Sequence, residues 1–138
     1  MSTNSTLPYG MSTTVRLPYE QAVERVREAL SAEGFGVLSE IDVRATLKQK
    51  LDADFRPYII LGACNPPLAL RALTAEQHIG LLLPCNVIVY AADDEGSSVV
   101  AAVDPEVSLG RVGNDALAPL AAEVKSRLRR VLDAVVGG

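Results

Sequence analysis

The sequence predicts an α+β fold: a two-layer sandwich of a mainly antiparallel five-stranded sheet and two long helices. Three observations predict it. Short apolar runs and stretches of helical spacing follow one another in the order β-α-β-(α)-β-α-β-β-α. Asp93-Asp94-Glu95-Gly96 reads as a hairpin turn between two such runs. Such a turn joins antiparallel strands, which argues against the alternative, a doubly wound parallel sheet. The 138 residues, 49% apolar and 22% charged, suit one packed domain rather than a disordered chain.

Residues 1–8 read as a loose N-terminal tail and residues 9–136 as a single α+β domain. Met1-Ser2-Thr3 followed by Leu7-Pro8-Tyr9 recurs as Met11-Ser12-Thr13 followed by Leu17-Pro18-Tyr19. One such echo does not make a solenoid. The first strand spans residues 9–17, with Thr13, Val15 and Leu17 on one face. Pro18 suits the first turn of a helix, where its missing N–H costs nothing. Ala22, Val23, Val26, Ala29 and Leu30 then form a stripe, and Gly34 stands where a helix ends. The first helix is therefore residues 18–33.

Residues 35–43 read as the second strand, and 44–51 as a short helix with Asp42 in position to cap it. Residues 52–57 are a loop and 58–63 an apolar strand. Asn65-Pro66-Pro67 breaks that strand and starts a helix over 66–73. Thr74 and Gln77 have the spacing of a capping box, where a new turn begins. Residues 85–92 and 97–103 are the hairpin strands, and 104–113 is a loop. Asn114 caps the last helix, whose stripe runs through Leu117, Leu120, Ala121, Val124, Leu128, Val131, Leu132 and Val135.

Composition narrows the function classes. A net charge of −4 gives no basic surface to neutralise phosphates, and 4% aromatic residues supply few rings for base stacking, so no nucleic-acid partner is expected. No apolar run approaches the ~18 residues of a membrane span, so no membrane partner is expected. Residues 1–10 lack the pattern of a signal peptide, and two cysteines without one point to free thiols and the cytoplasm.

Several central strands are apolar on both sides, as in Ile59-Ile60-Leu61 and Val87-Ile88-Val89-Tyr90. A sheet with one wet face alternates instead. Two long helices cover one face, so the expectation is a homodimer through the other. Folded monomers of this mass expose ~6,900 Å².

Chemistry-bearing motifs are few. The chain has one histidine, His78, and lacks H-E-x-x-H, Cys-x-x-Cys, Gly-x-Ser-x-Gly and a phosphate-binding glycine loop. No catalytic residue is assigned and no cofactor is implied. Gly110-Arg111-Val112-Gly113 reads as a flexible loop. Lys125, Arg127, Arg129 and Arg130 read as a solvated helix face. Two Cys-Asn dipeptides stand out: Cys64-Asn65-Pro66 ends one strand and Pro84-Cys85-Asn86 opens the next. These six residues are the candidate ligand-binding site. The two ends meet only if the strands are antiparallel neighbours.

The leading reading is a homodimeric module that binds a small ligand or a protein partner there. A second is a thiol-dependent function in metal binding, redox or sulfur transfer, with Cys64 and Cys85 as candidate ligands and His78 and Asp104 nearest in the chain. A third is a structural interaction module in which the thiols only pack. Cysteine is among the most buried residue types, which favours packing over thiol chemistry.

Glu33-Gly34-Phe35-Gly36-Val37-Leu38-Ser39-Glu40-Ile41-Asp42-Val43, Tyr58-Ile59-Ile60-Leu61-Gly62-Ala63-Cys64-Asn65-Pro66 and Gly80-Leu81-Leu82-Leu83-Pro84-Cys85-Asn86-Val87 together resemble the "domain of unknown function 302" family of bacteria and archaea. The resemblance runs from Tyr9 to about Val135. It implies an α+β fold with an antiparallel-type sheet and a dimer. Its motifs carry over onto Cys64, Asn65, Pro66, Pro84, Cys85 and Asn86, and it implies no established activity.

Overall fold

A computed structural model describes residues 3–137. Six strands form one antiparallel sheet: β1 (Thr3–Leu7), β2 (Gly10–Val15), β3 (Gly36–Asp42), β4 (Tyr58–Cys64), β5 (Cys85–Ala91) and β6 (Ser98–Val103). Their spatial order is β1-β2-β6-β5-β4-β3, and every neighbouring pair is antiparallel. The parallel alternative is thereby excluded.

The sheet has one strand more than expected. Residues 3–7, read as a loose tail, pair with β2 through a tight hairpin, with Thr6 opposite Met11. Ser5 Oγ and Ser12 Oγ share a hydrogen bond of 2.7 Å across it. The segment carries almost no apolar residues, so it gives no periodic hydrophobic signal. Its threonines nonetheless favour extended backbone. Met1 and Ser2, also in that expected tail, lie outside the described residues.

The helices follow from caps and stripes. Helix α1 (Tyr19–Ala32) buries Ala22, Val23, Val26, Ala29 and Leu30. It ends as the sequence predicts. Gly34 has φ +84°, and the N–H groups of Gly34 and Phe35 return to the carbonyls of Ser31 and Leu30. Helix α2 (Val43–Leu51) is capped by Asp42, whose carboxylate accepts from Ala45 N–H at 2.9 Å. Helix α3 (Pro66–Ala75) leads into a 3-10 helix, Gln77–Leu82. The Thr74 hydroxyl does not cap that turn; it donates back to Leu70 O at 2.8 Å.

Helix α4 (Pro105–Gly110) occupies part of the expected loop. Asp104 caps it by accepting from Glu106 N–H at 2.9 Å, with Pro105 in the first turn. Asn114 caps a short 3-10 turn, Asp115–Leu117, that runs into α5 (Ala118–Gly137).

Helices α1 and α5 pack on each other and across β2, β5 and β6. Alternate residues Met11, Val15, Leu61, Val87, Val89 and Val100 face them and are buried. The opposite face carries Tyr58, Ile60, Ile88, Tyr90 and Val99, all only half-buried. Tyr58 and Tyr90 stack there with centroids 5.3 Å apart. Helix α2 has no buried residue. The chain exposes 7980 Å².

Candidate functional site

The two Cys-Asn segments meet. Strands β4 and β5 are antiparallel neighbours with Ala63 opposite Cys85 and Gly62 opposite Asn86, so the end of β4 lies beside the start of β5. The Asn65 side chain accepts from Leu68 N–H at 3.4 Å and so caps α3, and its Nδ2 donates to Glu33 O at 3.5 Å. One amide thus ties the ends of α1 and β4 to the start of α3. The chain enters β5 through a cis Leu83–Pro84 bond, with the Pro84 ring against Gly62. A Cβ on Gly62 would stand 2.7 Å from Pro84 Cγ, so only glycine permits this contact.

A cavity of about 270 Å³ opens between this end of the sheet, α3 and α5. Small side chains create it: Ala63, Ala69 and Ala72 line it where larger ones would fill the space. Leu68, Leu120 and Val124 complete its inner wall, and no lining residue is charged. It reaches the surface at Leu38 and Leu73, which stand 69% and 41% exposed.

Four of the six candidate residues belong to it: Cys64, Asn65, Pro84 and Cys85. Pro66 is exposed in the first turn of α3 and does not line the cavity. Asn86 alternates onto the opposite face of the sheet, where with Tyr58, Ile88 and Tyr90 it lines a separate groove. Leu38, Leu73, Leu109 and Leu120 join the wall unforeseen.

Both cysteines are free thiols. Burial, reinforced by the neighbouring Cys64, pushes the Cys85 thiol up to about 11. Among the described residues no group of three or more His, Cys, Asp or Glu is placed to hold a metal ion. Asp104 is engaged elsewhere. It pairs with Lys125 at 2.9 Å, and its hydrogen bond, followed by that of Glu106, raises the lysine's pKa.

The basic residues of α5 lie at the surface, Arg129 and Arg130 exposed and Lys125 and Arg127 half-buried, and they also make ties. Arg127 donates to Glu33 O at 3.0 Å and pairs with Glu123 at 3.1 Å. Arg130 pairs with Glu33 at 2.9 Å, and an Arg129 Nη2 donor reaches Met11 Sδ at 3.4 Å.

Fold and cavity define a small α+β protein whose antiparallel sheet carries an apolar pocket at one end. The chain belongs to the DUF302 family, a domain of unknown function, whose model matches residues 11–135. It is similar in structure to the uncharacterised conserved DUF302 protein from Bacillus stearothermophilus, with a TM-score of 0.85 and 32% sequence identity over 94% of this chain and 99% of that one. No curated protein matches the sequence. Among the described residues, no helix is long and apolar enough to cross a membrane.

Proposed function

We propose that this protein is a homodimeric binding module whose ligand site is the apolar cavity beside Cys64, Asn65, Pro84 and Cys85. The observation that carries the reading is the cavity itself. At about 270 Å³ it exceeds the ~150 Å³ of an engineered apolar cavity that takes up benzene. Small-molecule sites are concave and mostly apolar, and this cavity has that form. The raised Cys85 thiol supports a wall group over a nucleophile, because the thiolate is the reactive form. The unbridged cysteines suit the cytoplasm.

The second copy is placed on the sheet face that α1 and α5 leave open. The chain's 7980 Å² exceeds the ~6,900 Å² of a typical folded monomer of its mass by roughly 1,100 Å². A standard interface removes about 800 Å² from each partner, so a two-fold pairing would cover most of the excess. Helix α2 is nine residues long, short for a helix with little packing, and only Val43 and Leu47 are even half-buried within the chain.

Native mass spectrometry of gently purified protein tests both parts. The expected spectrum is a dimer carrying a non-covalent organic adduct, and Ile88→Glu is expected to give monomers by placing charge on the open face. Bare chains that also take up no added apolar compound contradict the ligand site. A wild-type monomer at micromolar concentration contradicts the dimer.

A further inference from the structure

We infer that the cavity takes an uncharged, mainly aliphatic molecule of about eleven non-hydrogen atoms. This rests on the reading of the cavity as a ligand site and names the chemistry of its occupant. Size comes from volume. Benzene, with six carbons, occupies an engineered cavity of about 150 Å³, and this one is nearly twice as large. Phe35 is the one aromatic ring in the wall; the rest of its apolar surface is aliphatic or sulfur.

The absence of ligand charge follows from how the nearby donors are used. The N-terminus of α3 borders the cavity, and such a helix end ordinarily attracts anions through its free N–H groups. Here Pro66 and Pro67 remove the first two. Leu68 N–H is held by Asn65 Oδ1, and Ala69 N–H by Asn65 O at 2.8 Å. No backbone donor of the first turn is left for a phosphate or carboxylate. Arg127, a cation tied to this corner, is engaged by Glu33 O and Glu123. A charge brought into such a wall would be buried without a partner, at high cost.

The wall is apolar almost throughout, so the aliphatic part of the ligand supplies its binding energy. Carbons beyond the cavity's capacity run out against Leu38 and Leu73, the exposed leucines at its rim.

The test is a titration of the methyl-labelled full-length protein, followed by NMR, with 1-decanol, decanoate at pH 8 and inorganic phosphate. Decanol is expected to shift the methyls of Leu68, Ala72 and Leu120 saturably. Decanoate should bind at least tenfold more weakly, and phosphate should leave those methyls unmoved. Ala69→Leu, which fills the space, should weaken decanol at least tenfold. Should that variant lose its dispersed methyl spectrum, Ala72→Leu applies the same test. Decanoate or phosphate binding as tightly as decanol overturns the uncharged ligand but leaves the cavity as a site. Saturation by none of the probes, or decanol binding that neither variant weakens, overturns the cavity site itself.

Discussion

Cys85 offers the sharpest quantitative test of how the pocket wall behaves. Its thiol is pushed from the ordinary 9.0 to about 11, first by burial and then by Cys64. At pH 7.5 a thiol of pKa 9.0 is ~3% thiolate, whereas one of pKa 11 is ~0.03%, a hundredfold less. A more basic thiolate attacks faster, which returns roughly sixfold to tenfold. The net slowing from ionisation alone is therefore about tenfold, and hindered access adds to it. The assay follows iodoacetamide addition to Cys85 in the wild-type protein at pH 7.5 by peptide mass spectrometry, which separates it from Cys64. The same protein in denaturant supplies the unperturbed reference. Folded protein is expected to react at least tenfold more slowly. A folded rate equal to or above the unfolded one would refute the reasoning and restore the thiol-dependent reading.

The same shift makes stability depend on pH. Between about pH 9 and 11 the unfolded chain has released the Cys85 proton while the native chain keeps it, so stability falls as pH rises, by about 2–3 kcal/mol in total. Urea midpoints across that window should decline more steeply for wild type than for Cys85→Ala; parallel slopes would contradict the buried, protonated thiol. Gly62→Ala drives a methyl into Pro84 and Ser39 and is expected to cost 1–3 kcal/mol, on the order of other overpacked sites. A thermal melt placing it within ~0.5 kcal/mol of wild type would mean that Pro84 yields freely.

Most of the fold is written in local signals, and the misses have local reasons. Helix α1 is legible because Pro18, an apolar stripe and Gly34 all agree. Helix α4 went unread although Asp104-Pro105 repeats the capping residue and proline that announce α3 at Asn65-Pro66. Its six residues are too short to show a stripe. Strand β1 has the opposite problem. Its extended backbone is held by pairing with β2, which a row of serine and threonine does not advertise.

The site was half legible. The Cys-Asn dipeptides mark the correct end of the sheet, because β4 and β5 are antiparallel neighbours. Adjacent residues on a strand nevertheless point to opposite faces, so Cys85 joins the cavity while Asn86 joins the groove behind it. The cavity itself arises from missing volume at Ala63, Ala69 and Ala72. Volume left empty depends on what packs opposite, and no spacing of residues encodes that.

Xenon tests the central claim most directly, since it enters apolar cavities and scatters anomalously. A crystal of the protein pressurised with xenon is expected to show strong anomalous density beside Cys85 and Leu120, inside the cavity of about 270 Å³. A cavity without xenon, closed by its own side chains or filled with ordered water bonded to Asn65, would contradict an apolar ligand site there.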